Sequence, residues 1–472
     1  MGLPILTVAQ MRGWEEASWA AGITAAAVID RAGLQVAAQA RALTAPGAEV
    51  LVLAGRGNNG ADARAAAAHL AGDRAVRVVV VADPAADLPA VQAALAARPA
   101  LVVDGLFGIG LNRPLDAAWL TVVAAVNAAR RPVLAVDVPS GLNADTGEPA
   151  GAAVQAAVTL TLGAPKAGML RAAAAPYVNR LEVAADIGLI APPAVGEMEW
   201  VMPADFTEFP PARPAGAHKG DCGRLTILAG SLGFHGAAVL AARAAQRAQP
   251  GLVSLFTQET VYFPVAAQLA AVMVAPWRPQ TVLPATGGVL VGPGLADPNL
   301  PDEWKLATRN LWRTSPGAVV VDASALDWLA VGPVAKNLVR VITPHPGEAA
   351  RLLRMSAQQV QANRPGALRE LSRLFGNCWV VLKGQQTLIG RSTGKIFVNS
   401  SGNPHLAQGG SGDVLAGFLA GLLAQPPLLA EVEKTLAFGV WRHGAAADHL
   451  QARRPGWVVE ELAAELCGEA KG

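Results

Sequence analysis

Short apolar runs alternate with alanine-rich segments of helical length along most of the chain. Runs of this kind predict buried strands, and their alternation with helices predicts a parallel sheet that is covered on both faces. In the N-terminal half the predicted strands are Val50–Ala54, Val76–Ala82, Leu101–Asp104, Val133–Asp137 and Val158–Leu162. In the C-terminal half they are Leu225–Ala229, Leu252–Phe256, Val289–Val291, Val319–Asp322, Val341–Thr343, Val380–Leu382 and Ile396–Val398.

Prolines interrupt this pattern repeatedly between residues 191 and 217. Such a density of proline disfavours both helix interiors and central strands, so the segment predicts a linker. A chain of 472 residues also exceeds what one hydrophobic core normally organises. The two halves share no motif. We therefore predict two different α/β domains, residues 1–205 and 206–472, rather than an internal repeat.

Composition narrows the class of protein. Apolar residues make up 52% of the chain, which excludes a disordered protein, and the net charge of +2 gives no field for nucleic acid or a membrane surface. The three cysteines are far apart and form neither a disulfide framework nor a zinc spacing. The N-terminus lacks the unbroken apolar run of a secretion signal. These features predict a cytoplasmic protein without nucleic-acid or membrane partners.

Three predicted strands of the N-terminal half end in glycine-rich polar segments. These segments are Gly55–Asp62, Asp104–Pro114 and Asp137–Asp145. In open α/β sheets, ligands bind beyond the carboxyl ends of the strands. Each segment alone is equally compatible with an ordinary turn or a capping residue. Their convergence at one edge of the sheet favours a pocket.

In the C-terminal half, Gly409–Asp413 leads directly into an apolar helical segment. Backbone N–H groups at a helix start bind phosphate, whereas a carboxylate there would repel it. Asp413 is therefore better placed as a base toward a hydroxyl, or as a holder of metal ions. A capped loop-to-helix junction without a ligand is the alternative. Further strand-end candidates are Gly230, Gly294, the segment Thr343–Glu348, and Lys383, which could neutralise phosphate oxygens.

Together these motifs resemble a known enzyme family. Residues 8–190 resemble the NAD(P)H-hydrate epimerase domain, which is Rossmann-like and doubly wound. Residues 215–465 resemble the ADP/ATP-dependent NAD(P)H-hydrate dehydratase, which has a ribokinase-like fold. The resemblance rests on the segments around Asn59, Asp137 and Asp413, in the order found in bifunctional NAD(P)H-hydrate repair enzymes. It implies hydrated NADH and NADPH (NADHX and NADPHX) as substrates, and we expect a homo-oligomer.

For the N-terminal half, the resemblance implies a hydrate-binding pocket and a potassium site. Asp137 would contact the reacting nicotinamide and is our candidate for proton transfer. Asn59, Asp104 and Ser140 would hold the potassium ion, and all three offer the oxygen donors that a hard cation prefers. The substrate-binding residues would be Asn58, Asn59, Gly60, Ala61, Asp62, Gly108, Ile109, Gly110, Leu111, Asn112, Arg113, Pro114 and Asp137. Ala61 and Ala63 replace glycines of the family pattern. We expect them in the helix start, with the epimerase active.

For the C-terminal half, the resemblance implies a catalytic Asp413, a hydrate site and a nucleotide site for ADP or ATP with magnesium. From its place at the start of a predicted helix, Glu348 could take part in metal binding. The hydrate would be contacted by Ala237, Gly294, His345 and Asp413. The nucleotide would be contacted by Lys383, Gly384, Gln385, Gln386, Thr387 and Gly412. The segment His405–Gln408 departs from the family pattern, and we expect it to contact the nucleotide differently.

Two other functions fit parts of the sequence. The Gly-Ser-Gly-Asp segment suits a kinase for a small alcohol equally well, and the product would distinguish the two, because a kinase releases a phosphorylated alcohol. The N-terminal half could also be a non-catalytic nucleotide-binding or scaffolding module, in view of Ala61 and Ala63.

Overall fold

The computed structural model describes residues 2–284 and 287–467, which form two compact units. The first unit is Leu3–Trp200, and the second begins at Val201 and includes Gly2. The division therefore lies within the proline-rich segment. Val201, Phe206 and Phe209 are buried in the core of the second unit, so a cut at 205/206 would separate Val201 from that core.

The first unit is built on six parallel strands in the order β3-β2-β4-β5-β6-β7, and a short antiparallel pair joins β1 and β8. Its strands are β1 Leu3–Pro4, β2 Glu49–Ala54, β3 Ala75–Val80, β4 Leu101–Gly105, β5 Val133–Val136, β6 Val158–Leu162, β7 Arg180–Ala184 and β8 Met198–Trp200. Its helices are α1 Val8–Ala20, α2 Ala25–Leu43, α3 Asn58–Leu70, α4 Pro84–Ala96, α5 Ala117–Ala128 and α6 Ala175–Val178.

Helices cover both faces of this sheet. Successive side chains of β2 point to opposite faces, and each face has its own core. Val50 and Val52 belong to the core formed with α2 and α3, whereas Leu51 and Leu53 belong to the core formed with α4 and α5. The chain passes from β2 outward to β3 and then crosses back to β4. The carboxyl ends of β2 and β4 are thus the topological switch point, where open α/β sheets bind ligands.

In its described residues, the second unit contains nine strands in the order β17-β16-β15-β14-β13-β12-β9-β10-β11. Neighbouring strands are parallel except for the pairs β15–β16 and β16–β17. Its strands are β9 Arg224–Leu228, β10 Leu252–Thr257, β11 Met273–Pro276, β12 Gly288–Val291, β13 Ala318–Val321, β14 Arg340–Ile342, β15 Trp379–Leu382, β16 Leu388–Gly390 and β17 Ile396–Val398. Its helices are α7 His235–Arg247, α8 Tyr262–Ala266, α9 Asp302–Thr314, α10 Pro346–Leu353, α11 Ala357–Ala362, α12 Arg364–Leu374, α13 Ser411–Leu423, α14 Pro426–Leu429, α15 Val432–Arg453 and α16 Val459–Glu465.

The switch point of the second sheet lies between the neighbouring strands β9 and β12. Beside it, helices α7 and α13 approach each other closely through small residues. A Cβ added at Gly417 would lie 2.1 Å from the Ala241 carbonyl oxygen, so only glycine permits this approach. The contact fixes the position of the α13 start, which carries Asp413, relative to α7.

The apolar runs correctly predicted the central strands, but β1, β7, β8, β11 and β16 have no counterpart among them. β7 and β11 are edge strands, and β11 ends in Pro276, whereas β1, β8 and β16 have only two or three residues. Short edge strands carry little apolar signal, since only one neighbour pairs with them. In the described part of the chain, no helix combines the length and apolar character needed to span a bilayer.

Candidate active sites

The loop after β2 leads into α3 at the N-terminal switch point, and only glycine fits at position 60 in the first turn of that helix. A Cβ on Gly60 would lie 2.0 Å from the Gly55 carbonyl oxygen. Ala61 and Ala63 lie further along the same helix, in positions where alanine is favoured over glycine. Gly105 leaves room for the Ala63 methyl group, because a Cβ on Gly105 would lie 2.4 Å from it.

The three proposed cation ligands are close together at the same switch point. The Ser140 hydroxyl donates to Asp104 Oδ1 at 2.6 Å, and the Ser140 N–H donates to Oδ2 at 2.8 Å. Asn59 Nδ2 donates to the Phe107 carbonyl at 2.8 Å. Asn59 Oδ1 is buried and has no hydrogen-bond partner among residues 2–284 and 287–467. Burial raises the pKa of Asp104, against the effect of its hydrogen bonds from Ser140.

Asp137 follows β5 in a left-handed conformation with φ of 63°. This conformation is uncommon for residues other than glycine and typical of functional sites. It directs Oδ1 toward three donors: the Leu162 N–H at 3.0 Å, the Thr161 hydroxyl at 3.1 Å and the Lys166 ammonium. Lys166 is fully buried and also donates to the Leu162 carbonyl at 2.8 Å.

Asp137 and Lys166 line a cavity of about 690 Å³, together with Asp62, Glu15 and the loop 108–113. Burial, followed by the negative charges of Asp137 and Glu15, raises the pKa of Asp62 to about 8. Burial and Asp137 likewise raise the pKa of Glu15. The proposed substrate residues Asn58 and Asn59 belong to the lining as well, whereas the lining does not include Gly60, Ala61 and Pro114.

At the C-terminal switch point, the predicted hydrate residues Ala237 and Gly294 are in contact. Gly294 has φ of +66°, and a Cβ there would lie 2.9 Å from the Ala237 Cβ and 2.3 Å from the Phe234 carbonyl oxygen. Ser231 donates to the Gly294 carbonyl at 2.7 Å and fixes the turn. This position therefore requires glycine both for its backbone conformation and for the close approach.

Asp413, in the first turn of α13, lies near an ion cluster centred on Lys383. The Lys383 ammonium contacts Asp322 Oδ1 at 2.8 Å and Glu348 Oε2 at 3.8 Å. Burial, followed by the charge of Asp322, raises the pKa of Asp413 to about 7, although Lys383 opposes this shift. Burial lowers the pKa of Lys383, but Asp322 and Glu348 outweigh burial, so the net shift is upward. Asp413 is thus a carboxyl group whose protonation state changes near neutral pH.

His345, a predicted substrate residue, caps the helix α10. Its ring Nδ1 accepts a hydrogen bond from the Gly347 N–H at 3.0 Å, and the backbone N–H of His345 donates to Glu348 Oε2 at 2.7 Å. This reciprocal pair is a capping box. Nε2 lies 3.6 Å from Glu348 Oε1, and about half of the side chain is exposed. The ring therefore has a structural role already, and Nε2 faces the Glu348 carboxylate.

The proposed phosphate-binding turn is held from behind by a buried histidine. Gly410 precedes α13 with φ of +94°. His443 Nε2 lies 3.1 Å from the Ser411 carbonyl oxygen, and burial lowers the pKa of His443 to about 4. Gly412 lies against the ion cluster, because a Cβ there would lie 3.3 Å from Lys383 Nζ. The structure thus brings two of the proposed nucleotide residues, Lys383 and Gly412, together.

The remaining nucleotide residues form the turn Gly384–Thr387 between β15 and β16. Thr387 donates to the Gly384 carbonyl at 3.0 Å, and Gly384 has φ of +137°. Arg364 on α12 donates to the Leu382 and Gln385 carbonyls, which fixes the turn from the side. The altered segment 405–408 forms its own hydrogen bonds, with Gln408 Nε2 donating to the His405 carbonyl at 2.8 Å.

Sequence reasoning missed Lys166, Glu15 and Asp322. Lys166 had an available signal: it is the only lysine among residues 1–200, and it follows a predicted strand. Asp322 was identified as a strand end but not as a partner of Lys383, which lies 61 residues further along the chain. Glu15 lies on the first helix and carries no motif.

Two family models match the chain. The model described as NAD(P)H-hydrate dehydratase matches residues 225–466, and that described as YjeF-related protein N-terminus matches residues 25–97 and 82–168. The bifunctional NAD(P)H-hydrate repair enzyme Nnr of Gloeobacter violaceus is 37% identical and covers 95% of this chain and 94% of its own length.

Solved structures match the second unit. A ribokinase-like superfamily protein of Enterococcus faecalis has a TM-score of 0.50 and 24% identity, and the match covers 59% of this chain and 96% of that protein. The ADP/ATP-dependent NAD(P)H-hydrate dehydratase of Bacillus subtilis, co-crystallised with ATP and Mg²⁺, has a TM-score of 0.48 and 30% identity over 54% of this chain and 91% of its own. The fold of the second unit is ribokinase-like.

Proposed function

Because the chain belongs to the family of bifunctional NAD(P)H-hydrate repair enzymes, we propose that it restores hydrated NADH and NADPH in two steps. The first unit interconverts the R and S hydrates, and the second dehydrates the S hydrate at the expense of ADP or ATP. One observation carries the second activity: Asp413, with its pKa raised to about 7, lies in the first turn of α13 beside the Lys383 cluster.

Dehydration requires a better leaving group than hydroxide. Asp413 accepts the proton of the ring hydroxyl as that oxygen attacks the terminal phosphoryl group of the nucleotide. Backbone N–H groups at Gly410–Gly412 and the Lys383 ammonium stabilise the charge on the transferring phosphoryl group. Phosphate then leaves with the electrons of the C–O bond as the lone pair of the ring nitrogen forms a C=N bond. The adjacent ring carbon loses a proton to the released phosphate, which re-forms the ring double bond and restores NAD(P)H. Gly294, Ala237 and His345 Nε2 position the hydrate.

Magnesium would enter with the nucleotide. In the part of the chain that the structure describes, no group of three or more His, Cys, Asp or Glu side chains is arranged to hold a metal ion. Mg²⁺ does not require such a group, because it commonly takes one or two carboxylates from the protein and completes its shell with phosphates and water. Glu348, 8% exposed at its side chain and 3.8 Å from Lys383, is the carboxylate best placed to contribute.

Residues of the first unit also suit the potassium ion that the resemblance implies. Asp104 is fully buried, and Asn59 Oδ1 is a buried acceptor without a hydrogen-bond partner among the described residues. A monovalent cation would satisfy that oxygen and neutralise the Asp104 carboxylate, with Ser140 Oγ as a third ligand. When bound, it would supply positive charge beside the pocket. Asn59 and the loop 108–113 bind the hydrate, and Asp137 exchanges a proton with it.

One absorbance experiment tests both activities. Purified protein is mixed with S hydrate and ADP or ATP, and the reduced-nicotinamide band is followed together with free phosphate. We expect NAD(P)H and phosphate in equal amounts, whereas a phosphorylated hydrate as final product would identify a kinase. Repeating the assay with R hydrate, with and without K⁺, measures the epimerase, and R hydrate that decays only at its spontaneous rate would contradict that half of the proposal. Cytoplasmic location and homo-oligomeric assembly stay predictions from the sequence.

A further inference from the structure

The cavity of the first unit places three acidic side chains around a single buried lysine. Glu15 comes from α1, Asp62 from α3 and Asp137 from the end of β5, while Lys166 lies beyond β6. All four line the same cavity. The arginines that line the cavity are exposed, so Lys166 is its one buried cation among the described residues. Three carboxyl groups close to one buried cation disfavour full ionisation, which favours different protonation states for them.

Of the three carboxyl groups, only Asp137 is hydrogen-bonded to Lys166 among the described residues. Lys166 Nζ donates to Asp137 Oδ1, to the Thr161 hydroxyl at 3.0 Å and to the Leu162 carbonyl at 2.8 Å. Its three donor hydrogens are thus all used, which fixes the ammonium group. Asp137 Oδ1 in turn receives donors from Lys166, Thr161 and the Leu162 N–H, an arrangement that suits a carboxylate.

Asp62 lacks such an anchor. It is 7% exposed, and within residues 2–284 and 287–467 no hydrogen bond or ion pair reaches its carboxyl group. Burial, Asp137 and Glu15, in that order, favour its protonated form, and Lys166 opposes them. Helix α2 contributes only Ala25, Val28, Ile29 and Ala32 to the cavity, so it brings no charge. The other charged side chains of the lining are Arg12, Arg56 and Arg113.

We propose that Asp62 is the acid and Asp137 the base of epimerisation, and that Lys166 is the positioning residue that assigns these roles. The inference rests on the proposed epimerase function. Asp62 gives its proton to the hydroxyl on the hydrated carbon, and the C–O bond breaks with release of water. The ring nitrogen lone pair forms the C=N bond of an iminium ion. A second water molecule adds to that carbon and gives its proton to Asp137, and proton transfer from Asp137 to Asp62 through water restores the enzyme.

The test compares full-length variants in the decay of R hydrate, with dehydration of S hydrate as the internal measure of intact protein. For the wild type, kcat/KM of epimerisation should fall about tenfold per pH unit above pH 8, as Asp62 loses its proton. Asp62→Asn should lose about 10²–10⁴-fold in kcat, and its residual activity should lack this fall. Asp62→Glu should recover part of the rate.

Lys166→Met tests the positioning role, because the variant keeps the volume and removes the charge. We expect kcat to fall more than KM changes, and the decline of activity on the alkaline side to move to higher pH, because Lys166 opposes the raised pKa of Asp62. Lys166→Arg should restore part of the wild-type profile. Asp186→Asn, at an exposed carboxylate, is the matched control and should leave rate and profile unchanged.

Three results would overturn the assignment. If kcat of epimerisation in Asp62→Asn lies within about threefold of the wild-type value, Asp62 is not the acid. This result does not depend on whether the lysine variants fold. An unchanged pH profile in a folded Lys166→Met would exclude the positioning role. Wild-type protein that leaves R hydrate at its spontaneous decay rate would overturn the proposed epimerase itself and the inference with it, a failure visible before any variant is made.

Discussion

The two units place their proposed reacting carboxyl group differently with respect to a nearby lysine. In the first unit, Lys166 bonds directly to Asp137. In the second, Lys383 bonds to Asp322 at 2.8 Å, which leaves Asp413 as a neighbour of an ion pair rather than a member of one. The lysine therefore fixes the reacting carboxylate in one site and a bystander carboxylate in the other.

This difference fits the two proposed reactions. Epimerisation needs a base and a protonated acid in the same pocket. Lys166 keeps Asp137 as the base, and Asp62 is then the acid that carries the proton. Phosphoryl transfer needs one base near neutral pH and positive charge for the phosphates. A Lys383 that pairs with Asp322 stays protonated and faces Gly412, so its charge is available to the nucleotide.

The largest effects should come from exchanging the reacting carboxyl groups for amides in turn. Asp413→Asn should lower dehydration by about 10²–10⁴-fold and keep nucleotide binding. Asp137→Asn should abolish epimerisation and leave dehydration of S hydrate unchanged. Rates with each epimer, measured on both variants, give a two-by-two comparison in which each variant controls the other. Full dehydration by Asp413→Asn would remove that residue from the mechanism.

A smaller loss should follow from closing the contact between Gly294 and Ala237. Gly294→Ala places a methyl group against the Phe234 carbonyl and displaces the turn, so we expect kcat/KM for S hydrate to fall about 10–100-fold. Gly233→Ala is the matched control: its φ of +84° costs a similar backbone strain, but nothing lies within 4 Å of the added Cβ. Equal losses in both variants would assign the effect to strain alone.

The pH dependence of the two activities should run in opposite directions. Asp413 acts as a base in its ionised form, and its pKa is raised to about 7, so kcat/KM for dehydration should fall about tenfold per unit as pH drops below 7. Epimerisation should instead fall above pH 8. Profiles of both activities on one preparation test this crossing, and parallel profiles would contradict the assignment of at least one group.

A change of about 1 kcal/mol is expected at the alanines of α3. Ala61→Gly should lower the free energy of unfolding by about 0.5–1 kcal/mol and leave epimerisation intact, because Ala61 lies in regular helix. Gly60→Ala should instead disrupt the loop, since its Cβ would meet the Gly55 carbonyl oxygen at 2.0 Å. Denaturation curves with epimerase rates distinguish the two positions. Loss of activity in Ala61→Gly would show that the methyl group contributes to the pocket.

Separation of the units should have the least effect. Fragments 1–200 and 201–472 each retain a complete set of core clusters, so we expect both to fold alone. Circular dichroism and the two separate activities are the measurements. Fragments that are insoluble or molten while the full chain is folded would show that the units depend on each other.

The apolar runs were sufficient for the fold but not for the chemistry of the sites. Central strands such as β2 and β12 are buried on both faces and therefore read as continuous apolar segments. The glycine-rich strand ends then place Asp62, Asp137 and Asp413 at the switch points. The partners of these groups could not be predicted in the same way. Lys166 lies 29 residues from Asp137, and Asp322 lies 61 residues from Lys383, so their contact depends on how the folded chain directs each side chain.

Lys166 also makes the first unit accessible to chemical labelling. It is the only lysine among residues 1–200 and is fully buried, so an amine-reactive reagent can modify it only when the unit opens. The rate of labelling therefore reports the free energy of that opening. Lys305 of the second unit, whose side chain is 41% exposed, is an internal reference for reagent activity. The intact protein can thus be probed unit by unit without cutting it.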